Sequence, residues 1–477
     1  MLSPCEILLA LLTFCFMLVF NRSSSPFNLV SGYDESVFKL FGLMISKGSV
    51  PLRDYVDRKG PWLCFINAIP YLTHTYRFGL FVIQFALTYI TSLLVFKAIS
   101  KFIEPKMAIL SLAGMYVFYS ICYSEGNACE SYALFFITVS MYLCWKFISQ
   151  KRPIYEHPYS YTFVYGISFG IIAFIRPNDV ASICGIVLAC AYLLIRKKKI
   201  TKLFSHVGVF VLGMVLSVSP VILYYGINHA IYDMIYWTFI EGFSYNSASR
   251  NDAILAYMLR LFSFIPLFIT VYLAWINDRK NNMTVFPFAV LITFFQFMAI
   301  GVRNSGHYFI VILPFYAVAI AYLLSIKNRL ALLIFLCHFF SKFTLSEGSR
   351  DNGFIFSIRS AFLEISNNSF MRDYNNRMKS MYESVPESER GNIYANVWQG
   401  MSFYVVNRTL PPNKWFILNP GVDLDSMRET VRYVLYETDD EWRDTGKPLV
   451  QGFHEVSCID ASKHPRHSFM LHLLEKD

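Results

Sequence analysis

Directly after its first apolar segment the chain reads GYDESVF at residues 32–38 and then PLRDYVDRKGPWLCFINA at residues 51–68. The first stretch contains the adjacent acids Asp34 and Glu35, and the second concentrates charged side chains just before a proline. Charged side chains are costly to hold beside a lipid bilayer and usually mark a functional site there. These stretches therefore predict a site at a membrane surface, provided that the rest of the chain is apolar enough to span a membrane.

The composition of the chain is that of a membrane protein. Hydrophobic residues make up 55% of 477 positions, charged residues 16%, and the mean hydropathy is +0.41, whereas roughly 25% of residues in a soluble domain are charged. The net charge is +9, but Lys and Arg form short clusters between apolar runs, which argues against nucleic acid as a partner. The ten cysteines show no CxxC spacing, so neither a disulfide framework nor a zinc knuckle is indicated.

About eleven apolar runs have the roughly 17–22 residues that a membrane-spanning helix needs. They lie near residues 3–20, 79–97, 107–123, 131–149, 159–175, 179–195, 204–225, 254–276, 284–301, 307–326 and 330–345. Lys and Arg recur in every second loop, as in the run from Arg196 to Lys199. The positive-inside rule then places the N-terminus in the cytoplasm and, with an odd number of helices, the C-terminus outside.

A shift from apolar to charged, Asn-rich sequence near Leu345 predicts one domain boundary. We therefore expect a transmembrane domain at residues 1–345 and an extracytoplasmic soluble domain at residues 346–477. The second domain contains the aromatic and β-branched runs NIYANVW, SFYVVNR, KWFILNP and VRYVLYE, separated by helix-like polar stretches. This pattern is typical of a small α/β domain.

The acid pair and the basic cluster resemble the first external loop of the GT-C glycosyltransferases, which are polytopic α-helical membrane enzymes. Protein O-mannosyltransferases and lipid A aminoarabinose transferases are members. The resemblance implies that Asp34, with Glu35 beside it, is the catalytic base that deprotonates the acceptor hydroxyl. One base is enough because the lipid phosphate is already a good leaving group. The alternative is that Asp34 caps a helix starting near Ser36.

The sequence Lys59-Gly60-Pro61 resembles a Lys-Gly-Pro element of the same family loop. The resemblance implies that Lys59 neutralises the lipid phosphate as a compact cation, and that Gly60 lets the backbone approach the head group closely. The neighbouring charges from Arg53 to Arg58 could instead form exposed ion pairs of little energetic value.

YSEGNACESYAL, at residues 123–134, resembles a Gly-Asn-x-x-Glu-x-Tyr-Ala pattern of bacterial members. The resemblance implies that Glu130 is a further catalytic carboxylate and that Asn127 is its hydrogen-bonding companion in substrate binding. Glu125 stands where the family has the first glycine, which leaves the division of work between the two glutamates open. Glu130 could also simply begin the next helix, where an acid favours the helix dipole.

Two later loops supply the other candidate substrate-binding residues. These are Arg176 and Asn178 in FIRPND (residues 174–179), and Arg303, His307 and Tyr308 in RNSGHYF (residues 303–309). The arginines and the histidine would bind the donor phosphate, and Tyr308 suits the aromatic belt at the membrane interface. For FIRPND the alternative is a tight interhelical turn with a snorkelling arginine.

A metal ion is the one cofactor that the sequence leaves open. His307 with Asp34 or Glu130 offers ligands for a divalent cation, but no local ligand spacing such as HExxH accompanies them. We therefore expect a site without a metal and keep the divalent cation as the alternative.

The resemblance covers about residues 1–330 and implies an inverting glycosyltransferase of the inner (plasma) membrane. Its donor would be a polyprenyl-phosphate sugar, and its acceptor a lipid, glycan or protein at the outer face. A polysaccharide polymerase or ligase would be expected to carry its arginines in a large late loop, and a lipid-linked glycan transporter to carry polar residues near helix midpoints. A non-catalytic assembly protein would survive the loss of Asp34 and Glu130.

Overall fold

The computed structural model describes residues 3–25, 33–122, 126–242, 261, 264–281, 285–300, 306–325, 333, 336, 358–359, 361–363, 366, 370–397, 400–412, 414, 431–439, 450–460 and 469–477. Its first nine helices are α1 (Pro4–Phe20), α2 (Tyr33–Ser46), α3 (Pro61–Leu72), α4 (Tyr76–Ile99), α5 (Pro105–Cys122), α6 (Cys129–Ser149), α7 (Tyr159–Ala173), α8 (Ala181–Arg196) and α9 (Ile200–Ile227). Those that follow are α10 (Ile231–Ile235, continued by a π-helical turn at Tyr236–Glu241), α11 (Ile265–Asn281), α12 (Val285–Ala299), α13 (Leu313–Ser325), α14 (Phe370–Ser384) and α15 (Gly400–Asn407). Short 3-10 turns lie at Ile154–Glu156, Pro177–Val180, Gly306–Ile312 and Glu387–Asn392.

Five helical segments within the described residues are long and apolar enough to cross a membrane. They are Tyr76–Ile99, Pro105–Cys122, Cys129–Ser149, Pro177–Arg196 and Ile200–Ile227, and shorter apolar helices accompany them. The predicted apolar helical architecture is thus confirmed in its coarse form, while the number of about eleven spans and their orientation stay predictions. The last predicted span, residues 330–345, lies outside the described residues except for Leu333 and Leu336.

Two of the loops predicted to be cytoplasmic, those after α4 and α6, lie close together near the start of α1. Near the start of α1, the Glu6 carboxylate lies 3.6 Å from Lys97 Nζ at the end of α4. Beyond α4, Lys101 Nζ donates to Ser149 Oγ at the end of α6 (3.3 Å). The end of α1 and the starts of α4 and α6 therefore share the opposite end of the bundle.

The C-terminal region contains a four-stranded mixed sheet with the order β1-β2-β4-β3. Its strands are β1 (Ile393–Asn396), β2 (Tyr433–Asp439), β3 (Phe453–Asp460) and β4 (Phe469–Lys476). β1 pairs with β2 in parallel, and the other two pairs are antiparallel. The runs NIYANVW and VRYVLYE contain β1 and β2, so the predicted small sheet domain is confirmed. Its predicted boundary near Leu345 lies outside the described residues.

One aromatic and β-branched run, SFYVVNR, is not a strand. It forms most of α15, on which Met401, Phe403 and Tyr404 are buried. The Tyr404 hydroxyl accepts from the backbone N–H of Ala395 (2.9 Å) and donates to the carbonyl of Ile393 (3.1 Å). Packing and hydrogen bonding against β1 therefore override the strand propensity of this run.

The sheet domain shares its apolar core with the first helices of the chain. Phe41 of α2 and Leu63 of α3 belong to the same buried cluster as Tyr404 of α15 and Leu435 of β2. Hydrogen bonds join the two regions as well: the Ser36 and Ser402 hydroxyls lie 2.9 Å apart, and the Tyr55 hydroxyl donates to the carbonyl of Pro411 (2.8 Å). The domain is therefore docked on α2 and on the charged segment before α3.

Candidate functional site

The charged segment before α3 is held against the end of α7 by backbone contacts. The Gly60 N–H donates to the carbonyl of Ile175 (2.9 Å), and the Trp62 N–H donates to that of Phe174 (3.0 Å). A Cβ at residue 60 would lie 2.1 Å from the Phe174 carbonyl oxygen, so only glycine fits. The close approach predicted for a lipid head group is thus made to the protein's own backbone, and it brings Lys59 beside the loop that carries Arg176.

Residues from three separate loops meet around Arg176. Its guanidinium forms an ion pair with Glu130, lies 3.8 Å from Asp179 Oδ1, and its Cζ lies 4.0 Å from the centre of the Tyr308 ring. His307 Nε2 is 3.9 Å from Glu130 Oε1. The Glu130 side chain is 4% exposed and that of Arg176 14%. Two carboxylates and an aromatic face therefore orient one guanidinium that is largely removed from water.

Lys59 links this buried cluster to the acid pair. Its ammonium interacts electrostatically with Arg176, Asp57 and Asp34. Burial acts to lower the pKa of Lys59, but the negative groups around it raise the pKa above its usual value, so the side chain is charged. Burial raises the pKa of Asp57 to about 6, and the neighbouring Lys59 ammonium opposes this increase. Lys59 thus lies within electrostatic range of both Arg176 and Asp34.

The two residues of the acid pair lie in different surroundings. Because α2 begins at Tyr33, Asp34 lies within its first turn and does not cap a helix that starts near Ser36. Asp34 is exposed, whereas Glu35 is completely buried. Burial lowers the pKa of Lys39, one turn further along α2, to about 7, and the charge of Glu35 opposes this decrease. In this conformation only Asp34 is accessible to a substrate.

A network of buried amides lies behind the acid pair. The side-chain amide of Asn127 donates to the Glu35 carbonyl (3.3 Å) and to Asn67 Oδ1 (3.0 Å). Its oxygen accepts from Gln84 (3.1 Å) and from the Tyr132 hydroxyl (2.6 Å). Asn127 is completely buried, so these contacts fix the backbone of Glu35 relative to α3, α4 and α6.

The network continues to the end of α1 through Asn21, which donates to Gln84. Gly126 has a φ of +76°, and a Cβ at this position would lie 1.5 Å from Asn21 Oδ1. Glycine is therefore required at this position for two reasons: the backbone is left-handed, and the Asn21 side chain approaches too closely for a Cβ. This packing determines where the loop before α6 delivers Glu130.

The structure thus brings together Glu130, Arg176, His307 and Tyr308. Lys59 interacts electrostatically with Arg176 and with Asp34. Asn178 is half-buried in the 3-10 turn that follows Arg176. Arg303 and Glu125 lie outside the described residues. The catalytic and substrate-binding roles assigned to all these residues, and to Glu35 and Asn127, stay predictions.

Sequence reasoning did not select Asp179, Gln84 or Asn67. Asp179 is part of the FIRPND motif and is a charged residue beside an apolar run, which is the pattern used to select the other candidates. In the structure it is buried next to Arg176. Gln84 and Asn67 are polar residues inside apolar helices. A buried amide in such a helix needs partners, and this rule could have identified both positions.

The residues around Glu130 do not fit the divalent cation that the sequence left open. The Glu130 carboxylate that would be shared with His307 is already paired with the guanidinium of Arg176. A divalent ion between Glu130 and His307 would lie beside that positive charge, which opposes its binding. The alternative pair, His307 with Asp34, stays a prediction.

Comparison with solved structures shows that this arrangement of helices and sheet domain is shared with membrane glycosyltransferases. The apo structure of ArnT from Cupriavidus metallidurans aligns over 98% of this chain and 97% of ArnT, with 11% identity and a TM-score of 0.59. ArnT bound to undecaprenyl phosphate aligns over the same shares, with 13% identity and a TM-score of 0.55. The Archaeoglobus fulgidus oligosaccharyltransferase aligns over 91% of this chain and 68% of that protein, with 12% identity and a TM-score of 0.47.

No protein-family model and no curated protein sequence matches the chain. The predicted resemblance to the GT-C superfamily is confirmed at the level of the fold.

Proposed function

We propose that the protein is an inverting glycosyltransferase that moves a sugar from a polyprenyl-phosphate donor to an acceptor hydroxyl at the outer face of the membrane. The observation that carries this proposal is the exposed Asp34 carboxylate, which interacts electrostatically with Lys59, the cation that also interacts with Arg176. An exposed base near a cation suits a reaction in which a proton is removed while a phosphate leaves. The fold shared with ArnT, which has been crystallised with undecaprenyl phosphate, supports a lipid-phosphate donor.

In the proposed reaction, Asp34 accepts the proton of the acceptor hydroxyl as its oxygen attacks the anomeric carbon of the sugar. The bond between that carbon and the phosphate oxygen breaks, and the electron pair leaves with the polyprenyl phosphate. Lys59 and Arg176 stabilise the negative charge that develops on the phosphate. Because the attack and the departure occur in one displacement, the configuration at the anomeric carbon is inverted.

The buried partners of Arg176 keep its guanidinium in place in this scheme. Glu130 contacts it on one side, Asp179 lies 3.8 Å away, and Tyr308 covers it. Glu130 is 4% exposed and paired, so it is less suited than Asp34 to meet an acceptor. We therefore assign proton transfer to Asp34 and the positioning of Arg176 to Glu130.

Replacing Lys59 by methionine should weaken donor binding about tenfold or more, since a charge-assisted phosphate contact contributes roughly 1.5–3 kcal/mol. The measurement is binding of a polyprenyl-phosphate analogue to purified protein in detergent, compared with a neutral prenol of equal length. Affinity for the neutral prenol should change much less.

Lys47→Met is the matched control, because Lys47 is an exposed lysine at the other end of α2. Its affinity for the phosphorylated lipid should equal that of the wild type. If the wild type does not prefer the phosphorylated lipid, or if Lys59→Met keeps the full preference, the proposed donor is wrong and a transporter or scaffold becomes the better account.

The proposed location of the site at the outer face predicts which side of the membrane each loop faces. Reporter fusions after Lys199 should indicate the cytoplasm, and fusions after Asn178 and Asp477 should indicate the opposite side. The reason is the concentration of Lys and Arg between residues 196 and 202, at the junction of α8 and α9. A cytoplasmic signal after Asn178 would place the Arg176 cluster on the wrong side for this reaction.

A further inference from the structure

A bulge in the edge strand of the sheet gathers three potential metal ligands on one face. In the pairing of β3 with β4, Glu455 lies opposite Leu474 and Cys458 lies opposite His472, with the register shift between Glu455 and Ser457. Since His472 and Leu474 are two residues apart on β4, they point to the same face. The extra residue in β3 therefore turns Glu455 and Cys458 to the face of His472, which a regular strand would not do.

The ligand atoms of Glu455, Cys458 and His472 all lie within 4.8 Å of one another. Imidazole, thiolate and carboxylate are the three ligand types that bind zinc. The site is unrelated to the Glu130 cluster in sequence and belongs to the sheet domain.

The hydrogen bonds of His472 hold its imidazole beside the Glu455 carboxylate. His472 Nε2 lies 2.7 Å from Thr438 Oγ1, and Nδ1 lies 2.6 Å from Glu455 Oε2. If Nε2 carries the proton and donates to Thr438, then Nδ1 and the carboxylate oxygen are both acceptors. The other tautomer, in which Nδ1–H donates to Glu455 and the Thr438 hydroxyl donates to Nε2, satisfies both contacts without a metal, and the zinc titration below distinguishes the two. In the first tautomer a metal ion can join Nδ1 to the carboxylate. Thr438 would then hold the imidazole in the orientation that a metal ligand requires.

Cys458 supplies the third potential ligand of this group. Cys458 is the one cysteine between residues 346 and 477 in the sequence, so this region cannot form an internal disulfide. Its Sγ lies within 4.8 Å of the ligand atoms of Glu455 and His472. A zinc ion would take the thiolate, the imidazole and the carboxylate, and a water molecule would complete its four ligands.

We infer that Glu455, Cys458 and His472 bind one zinc-class transition-metal ion that joins the edge strand β3 to β4. Such an ion would attach the bulged edge strand β3 to β4. The outer side of β3 has no neighbouring strand in the described sheet. The ion would be structural, and it is independent of the proposed transferase reaction.

The test uses the full chain in detergent, stripped of metal with a chelator and titrated with zinc chloride. The wild type should retain one zinc per chain after dialysis, gain thermal stability with zinc, and show a thiolate-to-metal charge-transfer band with cobalt(II). Cys458→Ser and Glu455→Gln alter exposed side chains and should fold. Each substitution should weaken zinc binding on the order of 100-fold. Loss of a residue that only hydrogen-bonds to a metal ligand already lowers metal affinity roughly 10–100-fold.

Cys15→Ser and His454→Gln are the matched controls, an exposed cysteine on α1 and an exposed histidine on β3. Both should bind zinc like the wild type, and so should Glu130→Gln. The inference is overturned if the wild type retains no stoichiometric zinc, or if Cys458→Ser keeps its affinity and the cobalt band. Loss of zinc in Glu130→Gln alone would place the metal at the Glu130 cluster instead, which would also overturn the inference.

Discussion

Asp34→Asn should lower the rate of sugar transfer by roughly 10²–10⁴-fold, the range typical for loss of a general base. Asparagine keeps the size and most of the hydrogen bonding of aspartate but cannot accept the proton. Because Asp34 is exposed in the first turn of α2, protein yield and thermal stability should not change. Binding of the polyprenyl-phosphate analogue should be kept, since the cations that would hold it remain. The measurement is single-turnover transfer from a labelled lipid-phosphate sugar.

Asp373→Asn provides the matched control for this experiment. Asp373 is a partly exposed carboxylate on α14. It forms an ion pair with Arg377, one turn further along the same helix. Its transfer rate should equal that of the wild type. Retained activity in Asp34→Asn would reassign the base to Glu35 or Glu130, and variants of each would then decide between them.

Arg176→Met should destabilise the protein by about 3–5 kcal/mol, the usual effect of removing one partner of a buried ion pair. The Glu130 side chain is 4% exposed, and Asp179 is also buried. Without the guanidinium the Glu130 carboxylate loses its paired cation in a largely dry site. The measurement is the free energy of unfolding, obtained by denaturant titration of the purified protein in detergent.

The double variant Arg176→Met/Glu130→Gln separates a lost charge pair from a general packing defect. It should recover a large part of the stability, because the uncompensated carboxylate has been removed. Additive losses in the two single variants and the double variant would show that Arg176 and Glu130 act independently, against the geometry described above.

Hydropathy and charge pattern predicted the features of this protein that depend on local sequence. The apolar helices are visible because each must be apolar along its own length, and loops such as Asp54–Pro61 are visible because charge is costly beside lipid. The pairing of Glu130 with Arg176 was not predictable, because a sequence pattern gives the burial of a residue but not its partner. SFYVVNR was predicted wrongly as a strand-like run, since packing against β1 decided its conformation.

Gly60 and Asn127 show the same limit within the site. The sequence indicated that glycine permits a close approach, but the approaching group is the carbonyl of Phe174 on the end of α7. The sequence also marked Asn127 for the site, and its amide meets Glu35, Asn67, Gln84 and Tyr132. Neither contact could be foreseen without the arrangement of the helices.

The amide network also has a consequence for the biosynthesis of the protein. Asn21 is made early, but Gln84 follows 63 residues later and Asn127 a further 43 residues after that. A nascent chain that has inserted α1 therefore carries an amide whose partners do not yet exist, and the amide must stay hydrated at the membrane surface. The network can close only after the loop before α6 has left the ribosome. A chain that stops earlier would leave Asn21 without the partners that it has in the complete fold.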